Sequence, residues 1–175
     1  MIDRRCSRAP LLAALLVALL ASACGYRTGY TPPVGSSVGV AFFENVSKER
    51  DLDRDFHLPL TDSVQRIVRA PLVAPDRAHY RIDGRMLDFR RRNGIRSADN
   101  SLLETGVRIT VEARLERRNA DTGEFEVLRR IEVQDERGYA LSDSGGEAAA
   151  RARALRNIAD RVVIDLFADL AWGAP

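Results

Sequence analysis

Apolar and polar positions change period along the chain, and each change marks an element. Val38-Gly39-Val40-Ala41-Phe42-Phe43 is a continuous apolar run that stops at Glu44-Asn45. A short unbroken run predicts a strand buried on both faces. A charged segment, Lys48 to Asp55, follows. Leu52, Phe56, Leu60, Val64 and Ile67 or Val68 then recur every three or four residues, the stripe of an amphipathic helix. Pro59 interrupts it. Either the main helix begins near Pro59, where a missing N–H is harmless, or the helix kinks there, and it should stop before Pro71.

Period two comes next. Tyr80, Ile82, Gly84 and Met86 alternate with Arg81, Asp83 and Arg85, and the phase then shifts to Leu87 and Phe89. That shift predicts a bulge or twist near Met86. Val107, Ile109, Val111, Ala113 and Leu115 alternate with Arg108, Thr110, Glu112, Arg114 and Glu116, which predicts one buried and one wet face. Phe125, Val127, Arg129, Ile131 and Val133 form a third strand, and Asn119-Ala120-Asp121-Thr122-Gly123 has the composition of the hairpin turn before it. Ser144 and Glu147 have capping-box spacing. After them Leu155, Ile158, Ala159, Val162, Leu166, Phe167 and Leu170 form a helical stripe, with Arg151, Arg153, Arg156, Asp160, Arg161 and Asp165 mostly opposite. The order β-α-β-β-β-α predicts an α+β fold, with two helices packed on one face of a four-stranded mixed sheet.

The chain ahead of residue 38 has no such periodicity. Arg4, Arg5 and Arg8 precede an apolar run, Leu11 to Leu20, too short for a spanning helix of roughly twenty residues. Small residues Ala21, Ser22 and Ala23 lead to Cys24. The pattern reads as a lipoprotein signal over residues 1–23, with Ala21 where Leu is commonest. Cleavage would make Cys24 an acylated N-terminus. Gly25 in place of Asp favours the outer membrane over retention at the inner one. Residues 24–37 read as the lipidated cysteine and a Gly/Pro/Ser-rich tether, whose Tyr26 and Tyr30 could lie at the membrane or pack on the domain. Residues 38–175 form the single folded domain.

Processing changes the charge. Residues 1–23 carry three of the 27 basic and one of the 25 acidic residues, so the mature chain has 24 of each. Net charge therefore gives no support for nucleic-acid binding. Cys6 leaves with the signal and Cys24 takes lipid, so no cysteine remains for a disulfide. Lys48 is the sole lysine.

Little in the sequence suits catalysis. The two histidines, His57 and His79, would need carboxylates from unrelated positions to hold zinc, and they read as structural residues. No nucleophile elbow, phosphate loop or zinc-protease motif occurs. Asp51, Asp53, Asp55 and Asp62 imitate a calcium loop, but Phe56 stands where the sharp turn needs glycine and Asp62 where a bidentate Glu is needed. They read as acids at a helix start. No metal or cofactor is expected. The densest basic run is Arg90, Arg91, Arg92 and Arg96, at the edge of an expected loop from Arg92 to Thr105. Long loops are often functional, and arginine forks suit phosphates such as those of lipid A. The plainer reading is a solvated strand end.

Cys24-Gly25-Tyr26-Arg27, Val38 to Asn45, and Leu60-Thr61-Asp62-Ser63-Val64 together resemble the LptE family of lipopolysaccharide-assembly lipoproteins. The resemblance implies a non-enzymatic outer-membrane subunit on the periplasmic side. It would plug an LptD-like barrel, support its assembly, and help deliver lipopolysaccharide to the outer leaflet. It carries over one residue, Cys24, as the lipidation site. Contact of Arg90, Arg91, Arg92 and Arg96 with lipopolysaccharide or the barrel is an expectation from charge alone. The alternative is a lipoprotein adaptor of similar sandwich fold that serves a cell-wall synthase or a secretion channel.

Overall fold

The computed structural model describes residues 30, 33, 35–168 and 170; the signal, Cys24 and most of the tether lie outside the described residues. The elements are β1 (Val38–Val40), β2 (Glu44–Asn45), α1 (Leu52–Val68), β3 (Tyr80–Arg96), β4 (Leu102–Arg118), β5 (Phe125–Ala140) and α2 (Gly146–Phe167). One mixed sheet has the order β1-β3-β4-β5, with β2 beside β3 after β1. β1 and β2 run parallel to β3, and β4 is antiparallel to both β3 and β5. Both helices pack into one core with the sheet's inner face, around Phe56, Leu60, Ile82, Ile109, Ile158 and Phe167. The expected α+β architecture is thus the one found, with its edge position shared by two short strands.

That sharing corrects the first expectation. Val40 pairs Ile82 and Glu44 pairs Arg85, four steps against three, so the chain bulges between β1 and β2. The bulge buries Phe43, edge-on to Phe56, but turns Phe42 out to stack on His57 at 3.9 Å. The run is therefore not buried on both faces throughout. Phe43 fits because β3 has no side chain at Gly84: a Cβ there would meet the Phe43 ring at 2.5 Å and the Glu112 carbonyl at 2.1 Å.

α1 begins at Leu52 and passes through Pro59 without ending. Burial of Leu52, Phe56, Leu60, Val64 and Val68 on one stripe outweighs the missing hydrogen bond. The phase shift near Met86 is a bulge at Leu87: Met86 pairs Val111, and Asp88 pairs Thr110. A second bulge, at Leu128, leaves no mark in the residue pattern. Leu115 pairs Arg129 but Glu116 pairs Val127, so Phe125 and Val127 move to the outer face. α2 starts without the expected capping box. Gly145, in a left-handed conformation, precedes it, and no side chain caps it.

The expected loop from Arg92 to Thr105 is instead strand. β3 runs on to Arg96, β4 starts at Leu102, and residues 97–101 form the turn. Asp99 accepts hydrogen bonds from Ser97 and Ser101 across it. α2 begins only beside Arg91 and Tyr139, so the hairpin above has no helix over it. Without burial its side chains carry no period-two pattern, although the backbone ladder continues.

The molecule has two poles. β3 spans seventeen residues, about 55 Å. The 97–101 turn marks the upper pole. Tyr30 marks the lower one, where its N–H bonds the Ile67 carbonyl at 2.9 Å. The sheet's outer face has no covering layer among the described elements. The register puts Arg81, Arg85, Arg90, Arg92, Arg108, Arg114 and Arg130 there beside Asp83, Asp88, Glu104, Glu112, Glu116, Glu132 and Glu136, so the two signs balance. Most meet across strands, as Arg85 with Glu112, Arg114 with Asp83, and Arg108 with Glu136.

Candidate functional site

The arginine run lies on the upper part of β3, spread over both faces. Arg90 is on the outer face with its Nε 2.6 Å from Asp88. Arg92, also outer, bridges Glu104 and Glu136 at 3.2 Å each. It lies across Gly138, where a Cβ would come within 2.6 Å of the Glu104 carboxylate. Arg91 faces inward and grips Glu147 at the start of α2, with Nη2 at 2.6 Å and Nε at 3.0 Å from both oxygens. Arg96, nearest the tip, donates to the Asn100 carbonyl at 2.9 Å, so no carboxylate offsets its charge among the described contacts.

Beside Arg91 the two helices part. They run parallel, both from upper to lower pole, and are tied at two levels. Arg151 of α2, 18% exposed, meets Glu49 at 2.9 Å and Asp55 at 2.6 Å. Lower down Asp160 accepts from Ser63 and Arg66. Between and outside these ties lies a cleft of about 910 Å³, lined by Leu58, Pro59, Tyr139, Leu141, Ala148, Ala152 and Leu155 with Arg54 and Arg156 at its sides. Nothing in the sequence pattern singled out this cleft. Leu58 and Leu141 belong to no apolar stripe, and the spacing of Glu147 from Ser144 is that of a helix cap.

Electrostatics at the cleft centre on Glu147. The Arg91 hydrogen bonds, then the Tyr139 hydroxyl at 2.9 Å, hold its carboxyl below the usual carboxylate range against partial burial. Burial and the same carboxylate push the Tyr139 hydroxyl up. A depressed carboxyl stabilises the fold above its unfolded value, about 4.3, and loses that contribution as pH falls through the folded value. Arg91 and Glu147 are 57% and 35% exposed, so the latch contributes only about 0.5–1 kcal/mol. Glu147→Gln should therefore melt a few degrees lower at pH 7, and the gap should narrow between pH 5 and 3. Thermal melts across that range check it; a gap undiminished in acid would show that the contact is not ionic.

The remaining candidates are structural in their contacts. His57 stacks on Phe42, and His79 Nδ1 lies 2.9 Å from the Ser37 hydroxyl. Asp53 accepts from Asn45, Asp55 pairs Arg151, and Asp51 sits ahead of α1 near Arg54. Cys24, the lipidation candidate, lies outside the described residues.

A family model described as LptE, lipopolysaccharide-assembly, matches residues 36–166. No curated protein matches the chain significantly. Among solved structures, a Xanthomonas campestris protein of the DUF330 family is similar at 15% identity and a TM-score of 0.54, over 78% of this chain and 86% of that one. Rare lipoprotein B from Shewanella oneidensis is similar at 12% identity and a TM-score of 0.45, over 75% and 93%. A minor lipoprotein from Acinetobacter baumannii is similar at 18% and 0.46, over 79% and 95%. At such identities the likeness concerns the fold alone, and of these three the Xanthomonas structure is the one near enough to carry even that.

Proposed function

Since the chain belongs to the LptE family of lipopolysaccharide-assembly proteins, we propose that it is a non-enzymatic, lipid-anchored outer-membrane lipoprotein that sits inside an LptD-like barrel and helps deliver lipopolysaccharide to the cell surface. The supporting observation is the uncovered outer face of the sheet. A large surface left bare in a two-layer fold is normally apolar if it awaits an apolar partner. This one is charged and balanced in sign, which suits the polar, water-lined interior of a barrel. Its dimensions agree. Cys24 is six residues ahead of Tyr30, so the anchor belongs to the lower pole, while strands of about 55 Å outreach a bilayer of 40–45 Å including headgroups. The tip would then stand at the far mouth of the barrel. Arg90, Arg92 and Arg96 are the members of the run proposed to meet the barrel or lipopolysaccharide phosphates, and Arg91 holds the hairpin to α2.

A C-terminal tag tests this. Outer membranes solubilised in detergent should yield a large barrel protein with the tagged chain; recovery of the chain alone would sink the reading. The anchor is tested separately. Cys24→Ala should leave the signal uncleaved by the lipoprotein route and the protein unlipidated. Mass spectrometry and detergent-phase partitioning check it, and an unchanged acylated mass would refute Cys24 as the site.

A further inference from the structure

The cleft at the upper pole is a described feature that barrel contact through the outer face leaves unused. Its apolar lining continues beyond the helices. Leu103 on β4 and Leu141, just past the end of β5, are neighbours at the overhanging inner face, with the Leu141 N–H on the Leu103 carbonyl at 3.1 Å. Leu141 leads into the cleft, where Leu58 is 66% exposed. The cleft then joins a hollow of about 410 Å³ that shares Leu58, Pro59 and Arg156 and ends at Asp160. From Gly145 to Asp160 the helix seam is about 22 Å long. Ala148 and Ala152 keep one wall low. The upper cleft, walled by Leu58, Pro59, Leu141, Ala148, Ala152 and Leu155, is an apolar trough that suits an unbranched hydrocarbon chain, and the hollow below it adds Asp62, Ser63 and Arg66 to the lining.

Charge at its sides selects the headgroup. Of the carboxylates around the cleft and the hollow, Asp55 is engaged by Arg151, Glu147 by Arg91 and Tyr139, and Asp160 by Arg66 and Ser63, which leaves Asp143 and Asp62. Arg156 has no carboxylate partner among the described contacts, and Arg54 has only Asp51, at 3.8 Å and largely exposed. These two guanidiniums flank the cleft in a form suited to phosphate, with Asp143 at one end and Asp62 in the hollow at the other. The chain's own anchor is an unsuitable occupant. Cys24 reaches about 20 Å from Tyr30 at full extension, and the wide end of the cleft is at the opposite pole.

We propose that this cleft takes a fatty acyl chain of lipopolysaccharide, with the glycolipid's phosphate at Arg54 and Arg156. The proposal rests on the lipopolysaccharide-assembly reading and deepens it by naming the part of the ligand held and where.

Single-chain alkyl phosphates test the site without the barrel. The protein is the chain from residue 24 on, which holds every described element, carrying Cys24→Ala so that no acyl group of its own competes. Calorimetry with octyl, decyl and dodecyl phosphate, below their micelle concentrations, should show affinity rising about two- to fourfold per methylene. Ala152→Trp, which fills the trough, should weaken dodecyl phosphate at least tenfold and flatten that dependence. Ile164→Trp, on an exposed part of α2 away from the cleft, should do neither. Arg156→Gln should weaken all three probes alike. Should Ala152→Trp melt early, Leu58→Asp at an exposed position makes the same test. Affinity independent of chain length in the unfilled protein, or an unchanged slope in the filled one, overturns the proposal. So does a filled cleft that keeps the probe but loses the barrel from the tagged pull-down, which would mark a protein contact. Absence of the barrel from the unmutated pull-down, with the chain-length slope intact, would instead remove the barrel reading and leave the acyl site standing.

Discussion

Val111→Asp is expected to abolish the cooperative fold. Val111 is fully buried at the middle of β4, paired with Met86 on one side and Val133 on the other, and both are core residues. Aspartate there gives up about 1.5–3 kcal/mol of apolar burial. It also introduces a carboxyl with no partner. Ionised, it is prohibitively costly; protonated, it still costs about 2–7 kcal/mol for lost hydrogen bonds to water. The sum is comparable to the whole stability of an ordinary domain, about 5–15 kcal/mol. Thr110→Arg is the matched control. Thr110 lies one residue away on the outer face, between Asp88 and Gln134, so a cation there should change stability by only about 0.5 kcal/mol. Circular dichroism and thermal melts of the pair decide the matter. A cooperative melt for Val111→Asp near the unmutated midpoint would mean that β4 does not present this face to the core.

This contrast was readable from the sequence because β4 has helices under one face along most of its length. Wherever burial is one-sided, period two appears in the residues, as it does from Val107 to Leu115. The helical stripes of α1 and α2 were legible for the same reason. Legibility ended where burial ended. From Arg92 to Thr105 the strands overhang the helices, so their residue pattern looks like a loop while the backbone still pairs. Bulges were legible only when they displaced apolar residues in the core. The one at Leu87 shifts Phe89 into phase and was visible. The one at Leu128 moves Phe125 and Val127 to the other face, and an apolar residue looks the same on either side. The candidate site was hidden more deeply. Tyr139, Leu141, Glu147 and Leu58 come from a strand end, a loop and two helices, and no spacing joins them. The arginine run was visible as charge, but which guanidinium meets which carboxylate is a property of cross-strand register.

The Leu128 bulge carries the second large effect, at the lower end of the sheet. It sets Phe125 and Val127 over an ion pair that would otherwise face water. Arg81 reaches the Glu116 carboxylate at 2.6 Å, and its guanidinium lies 3.8 Å from the centre of the Phe125 ring. Glu116 keeps only 7% of its side chain exposed, and Arg81 29%. Arg81→Ala therefore strands a nearly buried carboxylate. Removing one member of a buried pair typically costs about 3–5 kcal/mol, and the partial exposure of Arg81 lowers the expectation to about 2–4 kcal/mol. In a domain of this size that corresponds to a fall in melting temperature of about 5–15 °C. The loss should come mainly from the orphaned charge and not from the missing attraction, since desolvation offsets much of the attraction in the intact pair. The double replacement Arg81→Leu with Glu116→Leu distinguishes these. With both charges gone and apolar side chains under Val127, it should recover at least half of what Arg81→Ala loses. A double-mutant cycle over the unmutated protein, Arg81→Leu, Glu116→Leu and the double variant gives the coupling directly, expected at about 2 kcal/mol. Equal destabilisation of the single and double variants would mean that Arg81 contributes through packing on Phe125, and that the bulge shelters a stacking contact instead of an ion pair.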